Sequence, residues 1–153
     1  MRRLNLLGLL VLVMVASTIM VACGNGNNSK EINFTVGFEH MYIGSGENHD
    51  LEAIVRTLAE WNTLVSARSY LSEMNEKYNA EFFIENSLIV FAFTSGYSPA
   101  DVEVDNLARD GNGLILEATN SPGDIAVVSK GIIVLEVKRS DIQGANTLRV
   151  VWS

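Results

Sequence analysis

Outside the N-terminal leader, the densest apolar run of the chain is the six consecutive residues Leu88 to Phe93. Along an extended backbone Leu88, Val90 and Ala92 face one way while Ile89, Phe91 and Phe93 face the other, so both faces need cover. The run predicts the central strand of the fold. Upstream, Ile32, Phe34, Val36, Phe38, His40 and Tyr42 fall on every second position, with Glu31, Asn33, Thr35 and Glu39 between them. This period of two predicts one half-buried strand over 32–42, with a bulge at Gly37. Residues 44–50 read as a polar loop and 53–56 as a short second strand.

Thr57 and Glu60 have capping-box spacing, in which the hydroxyl and the carboxylate each satisfy a backbone donor at a new helix end. A helix is therefore expected from Leu58, with Leu58, Trp61, Leu64 and Val65 on one face. Leu71, Met74 and Tyr78 continue it to about Lys77, after a break near 66–69 where Arg68 interrupts the stripe. The alternative is a single helix over 50–77, disfavoured by the β-branched Ile54 and Val55. Residues 79–83 read as a one-turn connector. Beyond the central run, Val102, Val104 and Leu107 predict a strand, and Asp110-Gly111-Asn112-Gly113 a hairpin turn into a return strand through Leu114, Leu116 and Ala118. Residues 125–128 suggest a short strand, 132–137 a second central one, 141–146 a turn, and Leu148, Val150 and Trp152 the last strand. The expected fold class is α+β and predominantly β: an antiparallel β-sandwich, immunoglobulin-like or related, with one helical segment of the N-terminal half packed on it.

The first 22 residues change the picture. Met1-Arg2-Arg3 is a short positive region, residues 6–21 are apolar, and Met20-Val21-Ala22-Cys23-Gly24 resembles a bacterial lipobox, whose cysteine is diacylated and becomes the mature N-terminus. A spanning helix is the competing reading of so long an apolar stretch, since a bilayer needs about 20 residues. The lipobox favours a lipoprotein signal peptide over 1–22, a lipidated tether over 23–30 and a single β-rich domain over 31–153. Cys23 is the sole cysteine, so no intramolecular disulfide forms. The implied location is extracytoplasmic, on the cell membrane or envelope, held to the bilayer through acylated Cys23.

Cleavage after residue 22 takes Arg2 and Arg3 with it, leaving nine of the 11 basic side chains against 18 acidic ones. Nucleic-acid affinity comes chiefly from Lys and Arg neutralising phosphates, so this balance argues against a nucleic-acid partner. It equally disfavours electrostatic docking to anionic lipid headgroups, so membrane attachment must come from elsewhere.

The stretch Asn79-Ala80-Glu81-Phe82-Phe83-Ile84-Glu85-Asn86-Ser87-Leu88, leading to a strand, then the small-residue loop Thr94-Ser95-Gly96-Tyr97, then a hairpin, resembles small bacterial lipoproteins of the protease-complex-subunit PrcB-like group. The similarity spans roughly 53–152. It implies an immunoglobulin-like or related sandwich that acts by binding protein, in the named member as partner of a secreted protease. Thr94-Ser95-Gly96-Tyr97 is also loosely similar to the threonine-glycine-aromatic loop of chagasin-type cysteine-protease inhibitors, whose glycine-rich and Arg-Pro-aromatic loops have no counterpart here.

Candidate chemistry is sparse. Glu39, His40, Glu47, His49 and Asp50 are residue types that ligate zinc, but no close spacing pairs the two histidines. Asp101, Glu103 and Asp105 alternate along a strand with Asp124 further on, whereas calcium takes its oxygens from a loop wrapped round the ion. Ser95 and Ser98 lack a nucleophile elbow. The expectation is a protein-binding module of unknown partner with no metal, cofactor or catalytic set, contacting its partner through Thr94, Ser95, Gly96 and Tyr97, with the loop over 120–123 beside them. Tyr97, an aromatic among Gly, Ser and Pro, is the expected anchor. The alternatives are an envelope hydrolase using His49 with a carboxylate, and a purely structural lipoprotein.

Overall fold

A computed structural model describes residues 29–43, 51–95, 101–121 and 129–153. The described chain is mostly β, with few helical residues. In order come β1 (Lys30–Glu31), β2 (Phe34–Ile43), β3 (Leu51–Val55), α1 (Leu58–Ala67), a 3-10 segment (Ser69–Met74), α2 (Phe82–Glu85), β4 (Asn86–Ser95), β5 (Asp101–Asp110), β6 (Gly113–Ser121), β7 (Ser129–Lys138) and β8 (Thr147–Trp152). Two four-stranded sheets result, ordered β2-β7-β4-β3 and β1-β5-β6-β8.

The six-residue apolar run lies in β4, between β7 and β3. Ile89, Phe91 and Phe93 join Ile133, Leu135 and Val137 of β7 in a core completed by Leu107, Leu114 and Leu116 of the other sheet. On the opposite face Leu88, Val90 and Ala92, with Ile132 and Val134, meet Trp61, Leu71, Tyr78 and Phe83. Apolar layers therefore cover both faces of β4 and β7. Full burial of one such Leu or Phe contributes roughly 1.5–3 kcal/mol, so this doubly covered pair dominates the stability of the fold.

The helical layer follows its local signals. Glu60 donates its backbone N–H to Thr57 Oγ1 at 3.2 Å, while Glu60 Oε2 accepts from the Thr57 and Arg56 backbone N–H groups, completing the capping box at Leu58. α1 stops at Ala67, Arg68 leaves helical geometry, and the 3-10 segment carries Leu71 into the core. Trp61 Nε1 donates to Asn75 Oδ1 at 2.9 Å, and the Tyr78 ring meets Trp61 edge-on at 5.0 Å. A second clamp fixes this layer to the sheet. Tyr78 donates its hydroxyl to Glu136 Oε1 at 3.1 Å, Lys77 pairs with the same oxygen at 2.6 Å, and Lys77 Nζ also reaches the Gly37 carbonyl. Register shifts between Val36 and Phe38, and a Cβ on Gly37 would collide with Glu136 and the Tyr78 hydroxyl. The bulge thus needs glycine for room.

Several expectations are corrected. The strand expected over 32–42 is β2, which starts only at Phe34, because the chain changes sheets at 32–33. Ile32, buried in the core between the sheets, donates its N–H to the Leu107 carbonyl as a continuation of β1, and β2 then pairs with β7. Alternation in sequence is the same on either side of such a switch, so periodicity does not register it. The second strand begins at Leu51 and pairs throughout with β4, which rules out one helix over 50–77. The connector expected at 79–83 is instead the turn Phe82–Glu85, whose first N–H donates to Asn79 Oδ1 at 3.1 Å. In β5 a register shift between Val104 and Asn106 interrupts the alternation of Asp101, Glu103 and Asp105 and changes parity between Val104 and Leu107.

The pairing is not wholly antiparallel either: β8 lies parallel to β6, with Leu114 opposite Leu148 and Ala118 opposite Trp152. Between them the chain visits the other sheet as β7, and this return route lets β8 run alongside β6 in the same direction. The hairpin holds as expected. Asp110 pairs with Gly113 across Gly111-Asn112, and Gly111 has φ of 59°, a region glycine enters without Cβ strain.

A candidate binding cleft at the sheet rim

β3 and β8 are each the outermost strand of their sheet among the described residues, and they lie against each other. At the end where β4 leaves the core, a cleft of about 530 Å³ opens between them. Leu51 and Glu52 of β3, Phe91 through Thr94 of β4, Asn120 of β6, and Val150 and Trp152 of β8 line it.

Aromatic rings give the cleft its character. Trp152 sits 5.4 Å from Phe93 and 6.3 Å from Phe91 between ring centroids, edge-on to both, a geometry aromatic pairs favour. Phe91 is 1% exposed while Trp152 is 43% exposed, so a rigid floor supports an accessible ring. Gly131 makes room for the floor: a Cβ there would collide with the Phe93 ring. Around this apolar centre stand the exposed Glu52 and Thr94 and the half-buried Asn120. Neighbouring polar groups tie down the β8 end. Thr119 Oγ1 donates to Asp105 Oδ2 at 2.8 Å and lies 2.7 Å from Ser153 Oγ, and Ser153 donates its N–H to the Ala118 carbonyl.

Of the residues expected to contact a partner, Thr94 lies at this cleft, exposed and in register with the buried Lys130. Ser95 ends β4 opposite Ser129. Gly96 and Tyr97 lie outside the described residues, as do Cys23, His49, the loop over 44–50, the strand expected at 125–128 and Asp124. His40 is placed by its backbone alone, opposite Ile132. Sequence reasoning missed the exposed position of Trp152 at this cleft. Its alternation with Leu148 and Val150 marked it as one more half-buried strand residue, and its seat against Phe91 and Phe93 is set by tertiary packing.

Among the described residues no group of three or more His, Cys, Asp or Glu side chains could hold a metal ion, and no helix is long and apolar enough to cross a membrane. Among the described residues, the titratable group pushed furthest from its ordinary range is the Tyr78 hydroxyl. Burial raises it above the usual tyrosine range, and the Glu136 charge and hydrogen bond raise it further. It lies in the helical clamp and acts structurally. A shallow aromatic cleft with one carboxylate and two neutral polar side chains suits the capture of an apolar side chain. Compared with protein-family models, curated proteins and solved structures, the chain matches none.

Proposed function

We propose that this chain is a lipid-anchored, extracytoplasmic protein-binding module whose partner inserts an apolar side chain into the cleft beneath Trp152. The observation that carries the reading is the pairing of one accessible tryptophan with a buried aromatic floor, next to the β4 exit that the sequence singles out. Binding hot spots have this form: a central aromatic on a well-packed base, with polar side chains round it. The exposed Glu52 favours a partner segment with a basic residue beside its apolar anchor. The immunoglobulin-like sandwich belongs to this reading, supported by the two sheets sharing one apolar core. So does association with a secreted protease, for which the support is the resemblance of 79–97 to the PrcB-like group.

Membrane attachment rests on the lipobox ending in Cys23. Labelled fatty acid should enter the wild-type chain and not Cys23→Ala; equal labelling would remove the anchor from the proposal. For the cleft, the measurement is recovery of cross-linked partners from solubilised membranes. Trp152→Ala should lower partner affinity about 30-fold, as expected of an anchor worth about 2 kcal/mol. Unchanged recovery of every partner would remove the cleft.

A further inference from the structure

A second cleft, of about 630 Å³, lies near the opposite end of β4, just before that strand begins. Ten strand residues separate the two ends, about 30 Å at the rise of an extended chain. Arg56, Ile84, Glu85, Lys138, Arg139 and Ser140 line the second cleft, together with Gln143 and Gly144. Three cations therefore face one carboxylate, in a chain whose acidic side chains outnumber its basic ones. Among the described residues, the rim cleft has Glu52 and no cation.

The cationic side chains are held in place. Arg56 donates through Nη2 to the Ala145 carbonyl, and Arg139 donates through Nη1 to the Phe83 carbonyl at 3.0 Å. Lys138, exposed, stands 3.5 Å from Glu85. Both guanidinium groups keep further donors beyond these bonds. Beside them Ile84 is 70% exposed on α2, the most exposed of the large apolar side chains described. An apolar side chain standing proud among cations fits a lipid interface, where it enters the acyl boundary while the cations meet phosphates.

Where the described chain starts points the same way. Lys30 pairs with Arg109 and lies 4.0 Å from Asp141, while Arg109 sits beside Gly144 of the cleft, so the chain enters the domain at this end. From Cys23 to Ser29 is a reach of at most about 20 Å. An acyl group on Cys23 would hold this end near the bilayer and leave the rim cleft pointing away.

We infer that the face bearing Arg56, Ile84, Lys138 and Arg139 docks on the anionic phospholipid surface to which Cys23 tethers the chain. This rests on the lipid-anchor reading and adds an orientation to it: the domain stands on its cationic end and presents Trp152 outward. The net negative charge of the whole chain, which argues against membrane attraction when summed, turns the acidic remainder away from the same surface.

The test uses the full lipidated chain in vesicles of phosphatidylcholine alone or with phosphatidylglycerol. An environment-sensitive fluorophore is placed at Ile84→Cys, and separately at Thr94→Cys as the distal control. With Cys23 acylated, the introduced cysteine is the sole free thiol. Emission at position 84 should shift to the blue only in the anionic vesicles, and at 94 in neither. Each basic charge at an anionic surface is worth about five-fold in partitioning. Lys138→Glu, a reversal on an exposed side chain, should cut the docked-to-undocked ratio about 25-fold, and Glu85→Gln should raise it about five-fold. Equal emission at 84 in both vesicle types, with the protein floating with each, overturns docking and spares the anchor. A wild-type chain that labels at Cys23 and fails to float with either overturns both. A shift reproduced in detergent by inorganic phosphate assigns the cleft to a soluble anion, and one that tracks protein density assigns it to a second copy; either overturns lipid docking.

Discussion

Tyr78 shows how one residue joins two layers. Its ring fills the helical core beside Trp61, and its hydroxyl reaches through to Glu136 on β7. A hydrogen bond to a charged group is worth about 1.5–3 kcal/mol, and partial exposure of Glu136 sets the low end. Tyr78→Phe should therefore cost about 1.5 kcal/mol in denaturant unfolding at neutral pH. Because folding raises this hydroxyl above its ordinary range, its contribution is full below the unfolded tyrosine value of about 10 and is lost as pH rises through the folded one. The thermal midpoint of the wild type should fall faster than that of Tyr78→Phe above pH about 10, narrowing their difference. A difference that stays constant across that range would show that the hydroxyl does not stay protonated in the fold. None of this was visible in the one-dimensional pattern, where Tyr78 read only as the last apolar position of a helical stripe. Glu136 is 58 residues away, and only the approach of β7 makes it a partner.

At the scale of elements, local chemistry carried far. Thr57 and Glu60 set the start of α1, Arg68 its end, and Gly111-Asn112 the β5–β6 turn, because each signal acts within four residues. Thr57→Ala should cost about 1 kcal/mol and speed hydrogen exchange at the Glu60 amide, which loses its acceptor. Unaltered exchange there would mean that the capping box contributes nothing to the first turn. Where elements belong in space was not local. Ile32 and Phe34 continue one alternation, yet Ile32 bonds to Leu107 of β5 while Phe34 pairs with β7, and Leu148 to Trp152 gives no sign that its neighbour β6 runs parallel to it.

For the whole molecule, β4 couples the layers. Leu88 faces the helical layer and Phe91 the second sheet, from positions three residues apart on one strand. Leu88→Ala should cost about 2–5 kcal/mol and Phe91→Ala about 3–5 kcal/mol, both lowering one cooperative transition followed by circular dichroism and tryptophan fluorescence together. Two separated transitions would show that the layers unfold independently. The same strand spans the distance between the aromatic cleft and the cationic one, which the proposals assign to a partner and to the bilayer. By itself the sequence determined the central strand, the capped helix and the hairpin, since periodicity, capping and turn chemistry act between near neighbours. The tertiary structure alone decided the sheet switch at Ile32, the parallel seat of β8, the exposure of Trp152 and the gathering of Arg56, Lys138 and Arg139 in one cleft. Those features arise where segments distant in the chain meet, and pairing across that separation is set by packing of the whole core, which no local pattern encodes.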